Sequence, residues 1–286
     1  MKRWILPGGI LLLVIKIISA LLTNNAFADN RQVTMGACTE FNPITFGILP
    51  LVSAERLVTR FTPLVDYLSR HLNAQVRLET APSFTEFSRR TIQDKRYDIL
   101  FTAPHFYPPA RQAGYQLIAS VNSPGMRAII VVPKQSDISR IADLRGKRMA
   151  TVGKKSLATL LVKKLLNAQD MSLYQALNIT FTPTHNASLL SSYHGVTDAS
   201  VLMEPPYNVA SEQVRNRMRI IAKTDRAPHV PISVGHRLNK TCANEITQLL
   251  LNMSSTVDGQ AVLKHNRFPG FRVSADAEYE TFTNNL

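Results

Sequence analysis

Arg148-Met149-Ala150-Thr151-Val152-Gly153-Lys154-Lys155-Ser156, continued by the apolar stretch 157–167, is the segment that decides the fold. The first five residues read as a strand, Gly153 ends it, and Ser156 opens a helix over 156–167. Outward from this unit the same alternation recurs. Upstream, strands are expected over 44–49, 75–81, 97–102, 115–121 and 127–132. Helices are expected over 53–71, from 83 onward and over 104–113. Thr62-Pro63 reads as a cap and restart inside the first helix, and Ser83-Phe84-Thr85-Glu86 is a capping-box sequence. Downstream, strands over 179–182, 199–202 and 218–222 alternate with helices over 187–193 and 207–215. This is the pattern of an α/β fold with a mainly parallel sheet.

The strands up to 132 complete a first lobe and the units after Pro133 form a second. From residue 241 the chain reads as helices, with Ile246, Leu249, Leu250 and Met253 at helical spacing and no strand series of their own, so they need a lobe to pack on. The economical division is therefore 29–132 for the first part of lobe 1, 133–227 for lobe 2 and 228–286 for a return to lobe 1. Two crossings make a hinge.

At the start of the chain, Lys2 and Arg3 precede an apolar run from Ile5 to Leu22 and then Ala26-Phe27-Ala28. This is a secretory signal (residues 1–28) with a small-x-small cleavage site, and it places the mature protein in the periplasm. Lys16 near the middle of the run argues against a retained membrane anchor. Cys38 lies too far downstream for lipidation. The whole chain carries 33 Lys and Arg against 20 Asp and Glu, a formal charge of +13, and loss of the first 28 residues removes three cations and no acid. So basic a surface suits an anionic partner. Export disfavours nucleic acid. Two cysteines, Cys38 and Cys242, enter an oxidising space, where they are either a disulfide or two separate buried thiols.

Ligands of open α/β sheets sit beyond the carboxyl ends of the strands, near helix N-termini. That selects the loops 50–53, 102–107, 152–159 and 183–188. In the third, backbone N–H groups, the Ser156 hydroxyl and Lys154 and Lys155 converge on one helix start, as an anion requires. The spacing is not that of a P-loop, since six residues separate Gly146 and Gly153. His185 follows a strand and precedes a helix, from where its ring can donate to a ligand oxygen. Tyr107 offers an aromatic wall and a hydroxyl. No GxSxG elbow, HExxH pair or carboxylate dyad occurs at these junctions. Asp98, Asp198 and Glu204 at strand ends read as capping or pairing acids, and the chain is expected not to be an enzyme.

These loops bring a family into view. Phe46-Gly47-Ile48-Leu49-Pro50, Pro63 to Leu68, Tyr97 to Pro104 ahead of Tyr107, Ile141 to Arg148, His185-Asn186-Ala187-Ser188, Gly195 to Ala199, and Asp258 to Leu263 with Gly270-Phe271 occur in order and at spacing that resembles the phosphate/phosphite/phosphonate-binding (PhnD-like) proteins of ABC importers. The resemblance runs from about Ile44 to Phe282. It implies a type II periplasmic-binding fold, two lobes closing on a small oxyanion, and delivery to a membrane permease. A protein of the same fold that docks on a sensor kinase is the alternative reading. No cofactor or metal is implied, and a monomer is expected. By position, Phe84, Tyr107, Lys155, Ser156, His185 and Asp198 fall on or beside the family's pocket. This chain departs from it where a Ser-Thr-Ser type hydroxyl cluster is replaced by Lys154-Lys155-Ser156-Leu157-Ala158-Thr159, and where Phe84 lacks a tyrosine hydroxyl.

Overall fold

The computed structural model describes residues 36–282; the expected signal segment and its cleavage site lie outside the described residues. The chain alternates β1 (Ile44–Ile48), α1 (Ala54–Leu72), β2 (Val76–Glu79), α2 (Phe84–Ile92), β3 (Ile99–Phe101), α3 (Tyr107–Gln112) and β4 (Gln116–Val121). Then follow β5 (Ala128–Pro133), β6 (Arg148–Val152), α4 (Leu157–Asn167), α5 (Leu173–Ala176), β7 (Asn178–Thr182), α6 (His185–Tyr193) and β8 (Ala199–Met203). The series ends with α7 (Glu204–Asn208), α8 (Glu212–Arg217), β9 (Met218–Lys223), β10 (Pro231–Val234), α9 (Lys240–Asn252), α10 (Val257–Asn266) and β11 (Phe271–Arg272).

The strands form two sheets, one of six strands in the order β11-β4-β10-β3-β1-β2 and one of five in the order β7-β6-β8-β5-β9. In both, the central strands are buried on two faces, which is why they read as near-continuous apolar runs. Strand alternation sorts their side chains. Ala128, Ile130 and Val132 enter one apolar cluster with α4, while Ile129 and Val131 enter another with Leu189 and Val214. Likewise Ile99 and Phe101 face α1, and Leu100 faces Phe87 and Tyr97.

Four expectations are corrected. The strand expected over 127–132 does not complete the first lobe: β5 pairs antiparallel with β8 and β9, because both its faces are apolar and need the covered centre of the second sheet. Pro63 does not interrupt α1. The carbonyl of Thr59, which a residue with an N–H at 63 would bond, instead accepts from His265 Nε2 at 3.2 Å. The helix expected over 207–215 is split into α7 and α8, with Ser211 capping the second through the Val214 N–H. The tail from residue 241 carries a short strand, β11, that extends the edge of the first sheet, and just before it β10 sits between β3 and β4.

Two aspartates tie the sheets at the amino ends of their parallel strands. Asp98 accepts from the Thr45 N–H at 2.7 Å and is clasped by Arg237, which also reaches the Pro43 carbonyl. Asp198 accepts from the Arg148 N–H at 2.8 Å and pairs with its guanidinium at 2.7 Å.

The chain passes between sheets twice, from Val121 to Ala128 and from Lys223 to Pro231, and an isolated Met126–Ala227 bridge joins the two crossings. Gly125 adopts φ +93°, and a Cβ there would lie 2.3 Å from the Ala227 carbonyl oxygen, so only glycine fits. The 3-10 segment Asp276–Phe282 makes a third link. Tyr279 packs edge-on against Tyr107 and donates to the His229 carbonyl at 3.1 Å, while Phe282 joins the apolar cluster of the second sheet.

Cys38 and Cys242 form a disulfide that fastens the segment before β1 to α9, across a sequence separation of 204. In the chain-entropy picture a loop of that length contributes on the order of 5 kcal/mol. Reduced protein is therefore expected to unfold at lower urea than oxidised protein, with a loss of about 2–5 kcal/mol; superimposable urea curves would contradict this.

Candidate functional site

Both crossings start and finish at the same sheet edge, the one where the parallel strands end, so these two edges face one another. On the first sheet the edge is made by the loops after β1, β2 and β3, together with His229 before β10. On the second it is made by the loops after β6, β7 and β8, the start of β5 and the end of β9. Cross-strand register aligns them: Val152 pairs with Thr182, Met203 with Ala128, and Ile129 with Lys223.

At the end of β6, Ser156 caps α4 by accepting from the Thr159 N–H at 3.3 Å. Its single hydroxyl proton goes to the Val152 carbonyl at 2.5 Å. Thr159 donates to the same carbonyl at 2.7 Å, so in the 2.8 Å pair of Thr151 and Thr159 it is Thr151 that donates. The three hydroxyls thus close on the loop itself. What the helix start still offers an anion is the N–H groups of Leu157 and Ala158, which have no intrahelical partner. The Lys154 ammonium lies 5.5 Å from the centre of the Tyr174 ring, a cation–π contact. The Lys155 side chain is exposed.

The expectation for the loop after β7 was a helix beginning at 187. Instead Thr184 caps α6 through the Ala187 N–H at 3.0 Å, and His185 becomes its first residue. Nδ1 of His185 is buried without a hydrogen-bond partner, and burial pushes its pKa down to about 4, so the ring is neutral. Across the gap, Phe84 begins α2 and packs edge-on against Phe106 at 5.9 Å.

The residue that joins the two edges was not singled out from the sequence. His105, in the loop after β3, is 2% exposed, and its Nε2 lies 3.0 Å from the Lys155 carbonyl oxygen. A carbonyl only accepts, so Nε2 carries the proton and Nδ1 is the lone-pair nitrogen, buried without a partner. The sequence marks His105 as an imidazole at a strand-to-helix junction; its partner, fifty positions on, leaves no local trace.

Two expected site residues have other partners. The Tyr107 hydroxyl donates to Asp276 at 2.5 Å and accepts from the Leu117 N–H at 3.1 Å, which turns it toward the C-terminal segment. Asp198 lies at the opposite edge of its sheet, where pairing with Arg148 lowers its pKa. It locks strands and does not reach the facing edges. An open hollow of about 510 Å³ beside Tyr107, Arg111 and Asp276 is also apart from them. Arg111, Tyr107 and Asp276 already satisfy one another there.

Burial pushes the His105 pKa down to about 4, with the Lys155 carbonyl opposing the shift. The unfolded chain, where histidine titrates near 6.5, then takes up the proton first. Stability from this residue is complete above pH 6.5 and falls as the pH drops toward 4, by about 3 kcal/mol. His105→Leu should flatten the pH dependence of urea unfolding between pH 6.5 and 4. An unchanged slope would mean that this ring titrates normally.

Residues 46–279 match the family described as periplasmic substrate-binding proteins of phosphonate ABC transporters. The chain is 23% identical to the phosphonates-binding periplasmic protein of Escherichia coli (strain K12), an alignment covering 92% of this chain and 82% of that protein. Among solved structures, the fold matches a methylphosphonate complex from Prochlorococcus marinus (MIT 9301) with TM-score 0.74 at 15% identity, over 84% of this chain and 95% of that one. It also matches the binding component of an ABC phosphonate transporter from Pseudomonas aeruginosa with TM-score 0.71 at 17% identity, over 83% of each chain. The two-sheet architecture is that of type II periplasmic-binding proteins, and the chain belongs to the family of periplasmic substrate-binding proteins of phosphonate ABC transporters.

Proposed function

We propose that this protein captures a small phosphonate-type oxyanion between the facing edges of its two sheets and delivers it to an ABC permease. The observation that carries the reading is the His105–Lys155 contact, which holds a loop of one sheet against the anion-binding helix start of the other. The phosphono group docks at the N–H groups of Leu157 and Ala158, with Lys155 supplying charge, Ser156 fixing the cap, and His185 and Phe84 forming the walls. Stripping water from such an anion costs several kcal/mol, so helix N–H groups and an ammonium must replace the lost hydrogen bonds. The first lobe, with β1 to β4, β10 and β11, and the second, with β5 to β9, close about the paired crossings at Met126 and Ala227. The family favours delivery to a permease over docking on a sensor kinase.

A thermal-shift screen against methylphosphonate, 2-aminoethylphosphonate, phosphite, phosphate, sulfate and small carboxylates tests the ligand class. A phosphonate at a hundredfold above its dissociation constant should add about 2.7 kcal/mol of stability. Lys155→Ala is expected to weaken that ligand about tenfold, the scale of a lost charge-assisted bond. If carboxylates or sulfate stabilise the protein and phosphonates do not, the proposal is wrong.

A further inference from the structure

The facing edge of the second sheet carries a charge cluster that neither the cap of α4 nor the family's hydroxyl pattern accounts for. Arg127 enters β5, Glu204 follows β8 and Lys223 closes β9. Pairing of Ala128 with Met203, and the bond from the Glu204 N–H to the Arg127 carbonyl at 3.0 Å, bring the three to one corner by the crossings. Glu204 takes the Lys223 ammonium at 2.7 Å through one oxygen and has Arg127 Nε at 3.4 Å from the other. Arg226, held by the Gly125 carbonyl at 2.9 Å, adds a third positive field at the same carboxylate. Asp225 nearby is exposed and pairs with none of them.

The balance is uneven in charge and in hydrogen bonds. One buried-side carboxylate faces three cations. Arg127 is only 25% exposed, yet its Nε is buried without a hydrogen bond, and its contact to Glu204 is an ion contact alone. A guanidinium has five N–H donors, and a buried Nε–H with no acceptor costs free energy unless something accepts it. A carboxylate matches its fork in two parallel bonds. The corner is two strand spacings along the edge from the end of β6, roughly 10 Å. The corner and the start of α4 lie on the same edge, so a ligand whose phosphono group is held at α4 can present a short organic tail to it.

We infer that Arg127, assisted by Lys223, is a second anion-recognition point of the cleft, and that the ligand is a phosphonate whose tail carries its own acid group, a phosphonocarboxylate. This rests on the reading that a phosphono group docks at the start of α4. It names what the other end of the ligand must be, and it excludes an ammonium tail, which would meet surplus positive charge.

Three ligands of the same P–C–C–X length separate the possibilities: 3-phosphonopropionate with an acid tail, n-propylphosphonate with a neutral one and 2-aminoethylphosphonate with a cationic one. By titration calorimetry on the purified protein, 3-phosphonopropionate is expected to bind at least tenfold more tightly than n-propylphosphonate, and 2-aminoethylphosphonate more weakly than either. Arg127→Gln should abolish the advantage of the acid tail while leaving n-propylphosphonate affinity within about twofold, and Lys223→Gln should reduce it in part. Retained n-propylphosphonate binding shows that each variant is folded. Equal affinity for the acid and neutral tails, a preference for the cationic tail, or an acid-tail advantage that survives Arg127→Gln overturns the inference and leaves the phosphonate reading standing. If none of the three binds the unaltered protein while methylphosphonate does, the inference falls and the phosphonate reading stands; if no phosphonate binds, both fall.

Discussion

One hydrogen bond, from the His105 imidazole to the Lys155 carbonyl, ties the loop after β3 to the start of α4 across the space between the two sheets. A bond to a backbone carbonyl constrains the loop itself more than any side chain on it. The start of α4 is thereby fixed relative to the first sheet, whatever Lys154 and Lys155 do with their ammonium groups. The ring is almost wholly buried, where a neutral N–H to carbonyl bond is electrostatically stronger than in water and an alternative partner is absent.

The distribution of charge around that contact follows a rule common to both sheets. Acids sit at the amino ends of the parallel strands, where Asp98 and Asp198 accept backbone N–H groups and meet Arg237 and Arg148. The opposite edge of the second sheet, where helices begin, gathers N–H groups, hydroxyls, an imidazole and cations around Glu204. Neutral histidines keep this arrangement from being a block of positive charge: burial holds His105, His185 and His229 down at about 4.

Much of this was legible in the sequence because it is local. The β6–α4 unit, the Ser83 cap, the strand ends and each motif of the family resemblance rest on residues within a few positions of one another. What was not legible depends on distant partners. Pro63 reads as a break until His265 is seen to take the orphaned Thr59 carbonyl. Tyr107 reads as a ligand group until Asp276 claims its hydroxyl. Arg127 and Glu204 lie in unremarkable surroundings in the chain and become a cluster only through antiparallel pairing of β5 with β8. The four residues of β10, opened by a proline, are too few to show a period, and only their place between β3 and β4 makes them central.

That place of β10 has a consequence for the order in which the molecule can assemble. The second sheet uses only residues between Ala128 and Lys223, a contiguous stretch, whereas the first lacks its middle strand until Pro231–Val234 arrives and its edge until Phe271–Arg272. A chain that emerges amino end first, from a ribosome or a membrane pore, thus completes the later-encoded lobe before the earlier one. Until then, the strand edges of β3 and β4 stay open to wrong partners. The lobe that begins the sequence is the last to be finished, and it is the one whose exposed edges a chaperone would have to cover.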